Sequence, residues 1–207
     1  MNAVTDLQAP VMRAGPLWLR QPSREQVARV VEGLRGASFD YPHVGAALRV
    51  LPSGWYHDDD SVRLGVGSDV WERAVRALRR WQQFDLVWVQ AHDASVPLQE
   101  GRMFAFVSRQ LGVWSVNVCR VAEVVESEDG GCRRFGFAYG TVGRHVVRGE
   151  EAFLLEQDLA TGEVRFRIRK FSRPGHPLVK LMGRWAVSLQ RAFTRDALAR
   201  MASEVTR

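Results

Sequence analysis

Apolar and polar residues alternate with a period of two through much of the second half of the chain, which predicts a series of β-strands. The predicted strands cover residues 61–65, 86–91, 102–109, 113–125, 132–141, 152–157 and 164–171. Most of the last six are joined by connectors of hairpin length, rich in Gly, Asp and Glu. Because short connectors join neighbouring antiparallel strands, these six are expected to pair in sequence order.

Three segments show the period of an amphipathic helix instead. Ser23 followed three residues later by Gln26 predicts a capping box at the start of a short helix that ends at Gly36. A second helix is predicted over residues 69–84, with Ser68 as its N-cap. A long third helix is predicted from about residue 178 to residue 205. Only this last helix is long enough to cover the apolar face of the sheet.

The element order predicts an α+β helix-grip fold, in which a curved antiparallel sheet of about seven strands wraps around the long C-terminal helix. The chain has 207 residues, of which 46% are hydrophobic, and this suits one main domain. We expect residues 39–207 to form that domain and residues 1–38 to be an arm and short helix packed on it. The sequence predicts no membrane span and no secretory signal, so a cytoplasmic location is expected.

Five separated motifs stand out along the chain: YPHVGAAL at 41–48, LGVG at 64–67, FGFAYGTVGRH at 135–145, GEEAF at 149–153 and FSRP at 171–174. Together they resemble an uncharacterised family, domain of unknown function 1990. The resemblance covers roughly residues 39–203 and brings no settled activity. The predicted architecture also resembles the helix-grip fold of the START, Bet v 1 and polyketide-cyclase superfamily. That resemblance implies a cavity for an apolar ligand between sheet and helix.

Charge is unevenly distributed along the chain, whose formal net charge is +6. Residues 1–100 hold 11 arginines and 12 acidic residues, whereas the remainder holds 18 basic and 11 acidic residues. Arg165, Arg167 and Arg169 are predicted to share one face of the last strand, where they are solvated or bind an anion such as nucleic acid. Two cysteines, Cys119 and Cys132, form no metal or disulfide framework and are expected to be reduced.

The leading functional hypothesis is a binding module for a small, mostly apolar molecule held between sheet and helix. The predicted apolar face of the sheet contains Trp88, Phe104, Phe106, Trp114, Val116, Phe135, Phe137, Phe166 and Ile168. The cavity walls proposed from sequence are Phe104, Trp114, Phe137, Tyr139 and Trp185, with His145 and Arg173 as polar contacts. Ser115 and Asn117 are expected on the outer face. The alternative to a cavity is a filled core.

An enzymatic alternative uses the predicted loop between the fourth and fifth of the six paired strands. There His145 with Glu150 or Glu151 could perform acid–base chemistry of a lyase, cyclase or hydrolase. The structural alternative is that Glu150 or Glu151 forms an ion pair with Arg144, Arg148 or Arg173 and that His145 closes a turn. The run His57 to Asp60 is interpreted as a solvated acidic turn because its spacing fits no metal site. No cofactor or metal is predicted.

Overall fold

The computed structural model describes residues 17–92, 97–110, 112–143, 147–175 and 183–206. Its strands are β1 (Leu17–Trp18), β2 (Tyr56–Val66), β3 (Val89–Ala91), β4 (Met103–Gln110), β5 (Val113–Asp129), β6 (Cys132–Thr141), β7 (Val147–Asp158) and β8 (Glu163–Pro174). Its α-helices are α1 (Arg24–Gly33), α2 (Ser68–Arg79) and α3 (Gly183–Val205). All described pairs are antiparallel, in the order β2-β8-β7-β6-β5-β4-β3, and β1 pairs with β5. The predicted hairpin order from β3 to β8 is confirmed, and the sheet with its C-terminal helix has the predicted helix-grip architecture.

Several element boundaries differ from the predictions; for example, α2 ends at Arg79 rather than at residue 84, and β5 continues to Asp129. The interpretation of His57 to Asp60 as a turn is wrong, because these residues lie in β2 and pair with β8. The predicted loop after β6 is shorter than expected, since β7 begins at Val147. The N-cap of α2 is Gly67 rather than Ser68. The capping box of α1 is confirmed: the Ser23 hydroxyl accepts from the Gln26 amide, and the Gln26 side chain accepts from Ser23 N–H.

The inner face of the sheet packs against α2, the turn that follows it, and α3. Trp71 and Leu78 of α2 and Met201 of α3 are buried in one cluster with Phe153 and Phe166 of the sheet. The sequence predicted that the last helix alone would cover this face of the sheet. Two helices share it because α2 is also strongly amphipathic and contributes Trp71, while the turn after it contributes Trp81 and Phe84.

The outer face of the sheet is also covered. Val27 of α1 is buried against Val107, Val116 and Val118 of β4 and β5. The prediction that Trp114 and Val116 face inward is wrong, because both belong to this outer cluster. Strand β5 is buried on both faces, so the size of its side chains does not reveal which set points inward.

The segment from Phe39 to Trp55 covers the outer face of β6 to β8. Tyr41 and Ala47 are buried there against Ala138, Ala152 and Phe171. A methyl group on Gly140 would overlap the Tyr41 ring, with 1.9 Å to its hydroxyl oxygen. The absence of a side chain at Gly140 therefore allows this segment to lie close to β6.

Candidate functional site

A cavity of about 270 Å³ lies between the inner face of the sheet and α3. Its apolar lining includes Trp88, Val89, Phe106, Cys119, Leu189 and Phe193. Its polar lining includes Ser108, Gln110, Asn117, Tyr139, Thr141, Glu151, Lys170, Ser172 and Gln190. The site therefore combines apolar walls with several hydrogen-bonding groups, as small-molecule sites commonly do.

The cavity occupies only one part of the inner face because aromatic side chains fill the neighbouring part. The Trp81 ring centroid lies 4.6 Å from that of Phe104 and 5.2 Å from that of Phe137. Phe84 packs at 5.5 Å from Phe153 and is fully buried. Phe104 and Phe137, which the sequence placed in the cavity wall, instead belong to this filled core.

A cluster of neutral polar side chains lies on β4 and β5 beside the cavity. The Ser108 and Ser115 hydroxyl oxygens are 2.8 Å apart, and the Asn117 amide donates to Ser115 Oγ at 3.2 Å and to Ser108 Oγ at 3.3 Å. The prediction that Ser115 and Asn117 face outward is wrong. Their bonds to Ser108, which lines the cavity, place them on the inner face.

A buried ionic network lies at the β7, β8 and β2 side of the cavity. The Lys170 ammonium donates to the backbone carbonyl of Gln190 at 3.1 Å and to Thr194 Oγ1 at 2.5 Å. It also lies 3.1 Å from Asp58 Oδ2 and 3.8 Å from Glu151 Oε1. Tyr139 donates its hydroxyl hydrogen to Glu151 Oε2. Lys170 thus ties the sheet to α3.

One carboxylate oxygen of Glu151 accepts no hydrogen bond within the described residues, although the Lys170 ammonium lies 3.8 Å from it. Oε2 accepts from Tyr139, whereas Oε1 is buried and accepts no hydrogen bond from the described residues. The Lys170 ammonium lies closer to acceptor atoms of Gln190, Thr194 and Asp58 than to Glu151. Burial raises the pKa of Glu151, although the Lys170 charge and the Tyr139 hydroxyl oppose the rise. Burial, followed by the Glu151 charge, raises the pKa of Tyr139.

Glu150, the other candidate acid, points to the opposite face of the sheet. Its Oε2 accepts from the Tyr41 hydroxyl and from the Gly45 amide, both at 2.7 Å, and its Oε1 accepts from the Ala47 amide at 2.8 Å. Burial raises its pKa, while these donors favour the charged form. Glu150 holds the outer segment on the sheet and offers no carboxylate oxygen to the cavity.

The structure does not place the side chains of the remaining predicted site residues in the cavity. Trp114 and Arg173 lie on the outer face, where Arg173 donates to the carbonyl of Gly54. The proposal of Arg173 as a polar contact in the cavity is therefore wrong. His145 lies outside the described residues, and Trp185 lies in α3 with its side chain outside them. Of the predicted wall and acid residues, Tyr139, Glu150 and Glu151 line the cavity, although the carboxylate oxygens of Glu150 are bonded to the outer segment.

The arginine row of β8 is ion paired within the molecule. Arg165 lies 2.6 Å from Glu163, and Arg167 and Arg169 lie 2.6 and 3.1 Å from opposite oxygens of Asp59. The acidic run of β2 therefore neutralises part of the row predicted to be solvated or to bind an anion. Both cysteines are free thiols, and burial raises the pKa of Cys119. No described helix is long and apolar enough to cross a membrane.

Sequence reasoning missed Lys170 and Asp58. A signal for Lys170 exists in β8, where Phe166, Ile168 and Lys170 alternate with the three arginines. A lysine at an apolar-face position needs a buried partner, since an unpaired buried charge is costly. Asp58 pairs with Lys170 across β2 and β8 and supplies that partner.

The chain is similar to an uncharacterised protein family and to several individual proteins. The family model described as "Domain of unknown function (DUF1990)" matches residues 40–200. A UPF0548 protein of Deinococcus radiodurans is 38% identical over 170 residues, which cover 77% of this chain and 83% of the relative. A UPF0548 protein of Dictyostelium discoideum is 27% identical over 203 residues, covering 90% and 94%. Among solved structures, Ara h 8.0201 is 9% identical with a TM-score of 0.46, covering 74% of this chain and 99% of that one.

Proposed function

This chain belongs to the DUF1990 family, and from the geometry of its cavity we propose that it binds a small, mostly apolar ligand between the sheet and α3. The observation that carries the proposal is the cavity of about 270 Å³ with apolar walls and one buried oxygen, Glu151 Oε1, that accepts no hydrogen bond from the described residues. Its volume lies just below the range of about 300–1,000 Å³ typical of ligand sites. The ligand is therefore compact.

The polar side of the cavity supports a ligand that carries a hydrogen-bond donor. A buried acceptor without a partner costs free energy, and a hydroxyl or amine on the ligand removes that cost. Glu151 Oε1 is such an acceptor as regards hydrogen bonds from the described residues, and the Lys170 ammonium lies 3.8 Å from it. The apolar body of the ligand would lie against Phe106, Leu189 and Phe193.

The matched probes 2-naphthol and 2-methylnaphthalene test this proposal, because they share a shape and differ in one donor. We expect 2-naphthol to bind about tenfold more tightly, the difference made by one buried hydrogen bond. Isothermal titration calorimetry measures both affinities. Equal affinities would show that a hydrogen bond to Glu151 Oε1 does not contribute to binding. If neither probe binds and no ligand is recovered from protein purified from cells, the proposal of ligand binding is wrong.

Filling the cavity from α3 is expected to weaken this binding. Leu189 lines the cavity, so Leu189→Trp places a larger side chain in the ligand space and should weaken 2-naphthol binding at least about tenfold. Ser188, one residue earlier, is exposed, and Ser188→Trp is the matched control. Thermal unfolding of both variants checks the fold. Equal affinity of the two variants for 2-naphthol would place the binding site elsewhere.

A second candidate function is acid–base catalysis in the same cavity, favoured by the raised pKa of Glu151 beside Tyr139. A carboxyl group of raised pKa exchanges protons with a bound ligand more readily near neutral pH than an ordinary one. Glu151→Gln is expected to reduce turnover of a ligand recovered from the protein by about 100-fold or more while keeping its binding. Glu156→Gln on the same strand is the control. Turnover that survives Glu151→Gln would exclude this role.

A further inference from the structure

A second cleft, of about 300 Å³, lies on the outer face of the sheet, away from the ligand cavity. It is bordered by the segment that contains His43 and Trp55 and by the adjoining ends of β7 and β8. Arg148 of β7 and Arg173 of β8 line it from the sheet. Three of the motifs singled out in the sequence, at 41–48, 149–153 and 171–174, lie in or beside this region.

The two arginines are directly opposite each other in the β7–β8 pairing. Like charges at opposite positions of an antiparallel pair destabilise a sheet. Within the described ranges neither guanidinium has a carboxylate at ion-pairing distance, whereas the neighbouring Arg165, Arg167 and Arg169 each have one. Two facing cations without an ion-paired carboxylate in the described part of the chain therefore form a site that an external anion would stabilise.

Arg173 is held in place by other contacts. Its Nε and Nη2 both donate to the Gly54 carbonyl, at 2.9 and 2.6 Å. Its guanidinium carbon lies 4.5 Å from the centroid of the Trp55 ring, a cation–π contact. Trp55 is in turn packed edge-on against Phe171 at 5.2 Å and against His43 at 5.8 Å. The remaining nitrogen, Nη1, has no protein acceptor among the described residues.

Arg148 offers the complementary donors. Its Nε is buried and donates to no acceptor in the described part of the chain. Leaving a buried charged donor unsatisfied is costly, and an anion in the cleft would accept from it. Asp40 also lines the cleft, and its Oδ1 accepts a hydrogen bond from the Thr141 hydroxyl at 2.5 Å. Arg148, Arg173 and Asp40 together carry a net charge of one positive unit. The cleft thus favours a compact anion.

We propose that this cleft binds the phosphate group of a small phosphorylated molecule between Arg148 and Arg173. Phosphate presents several acceptor oxygens, and arginine guanidinium groups bind such oxygens in pairs of parallel hydrogen bonds. The immobilised Arg173 loses little conformational entropy on binding. This site is separate from the cavity under α3, so either can exist without the other.

Phenyl phosphate and inorganic phosphate are the probes for this site, titrated at constant ionic strength. We expect both to bind and to shift the NMR resonance of the Arg148 Nε–H group. Arg148→Gln is expected to weaken binding at least about tenfold, because it removes the charge and the paired donors. Arg165→Gln is the matched control, since Arg165 is an exposed, ion-paired arginine on the same face, and it should retain affinity within about twofold.

Further variants keep the test decisive if Arg148→Gln does not fold. Arg148→Lys retains the positive charge and loses the planar pair of donors, so it should fold and still bind phenyl phosphate more weakly than the unchanged chain. Equal losses in Arg148→Gln and Arg165→Gln would show attraction to general positive charge and overturn the proposal. The proposal also fails if chloride competes as well as phosphate does, or if the Arg148 Nε–H resonance does not move.

Discussion

Replacing Lys170 with methionine is expected to lower the free energy of unfolding by about 3–5 kcal/mol at neutral pH. The ammonium group is the cation that faces Asp58 and Glu151, whose side chains are 14% and 11% exposed. Without it, two buried carboxylates remain next to each other and to the hydroxyl of Tyr139. Removing one partner of a buried ion pair lowers the free energy of unfolding far more than removing one partner of an exposed ion pair.

The loss should depend on pH in a definite direction. Burial raises the folded-state pKa of Glu151 above its unfolded value of about 4.3, so its contribution is most favourable below that pH and declines as pH rises through the folded pKa. Lys170 opposes the rise, and its removal therefore pushes the folded pKa higher. The penalty of Lys170→Met should be small near the unfolded pKa and should grow towards neutral and mildly alkaline pH.

Urea unfolding at an acidic and a mildly alkaline pH measures this difference. Arg63→Met is the matched control, because Arg63 is exposed and its pair with Glu163 contributes at most about 1 kcal/mol. The double variant Lys170→Met with Glu151→Gln should recover part of the loss, since it removes one of the uncompensated charges. A penalty that is the same at both pH values would contradict the ionic origin of the effect.

Replacing Glu150 with alanine is expected to cost about 3–4 kcal/mol of stability and to release the outer segment from the sheet. The carboxylate accepts three buried hydrogen bonds, from the Tyr41 hydroxyl and from the amides of Gly45 and Ala47. All three donors lose their acceptor in the variant. Hydrogen bonds to a charged group are stronger than neutral ones, so the loss is large for a single substitution.

Two variants separate the hydrogen bonds from general charge effects. Glu156→Ala removes a carboxylate from the same strand and face. Within the described residues its ion pairs are two contacts of 3.7 Å, to Arg134 and Arg167, so the variant should cost at most about 1 kcal/mol. Tyr41→Phe removes one donor and should give a loss between the two. Amide hydrogen exchange of Gly45 and Ala47 should accelerate in Glu150→Ala. Unchanged exchange rates would show that another contact holds the segment.

The sequence predicts the strand order well because turn chemistry is local. The turn between β5 and β6 and the hairpin-length connectors follow from short-range rules, and they determine which strands are neighbours. The assignment of faces is less predictable for β5. Trp114 and Val116 alternate with Ser115 and Asn117, and the larger residues point outward because α1 covers that side. The packing of α1 therefore determines which side chains of β5 face outward, and period-two alternation alone does not show this.

The candidate site likewise contains features that local sequence rules do not predict. Glu150 and Glu151 are adjacent and chemically identical, and only the pairing of β7 shows that Glu151 faces the cavity while Glu150 faces Tyr41. The acidic run of β2 resembles a loop in composition. In the sheet, alternate members meet different cations, Asp58 meeting Lys170 inside and Asp59 meeting Arg167 and Arg169 outside. No local rule encodes partners that lie so far apart in sequence.

The pairing of β2 with β8 has a consequence for how the molecule folds. Asp59 and Arg169, which are hydrogen bonded, are 110 positions apart along the chain. During synthesis β2 leaves the ribosome long before its partner exists, and its carboxylates remain hydrated until β8 is made. Closing so long a loop is slow compared with forming the hairpins between, so docking of β2 should be a late event in assembly.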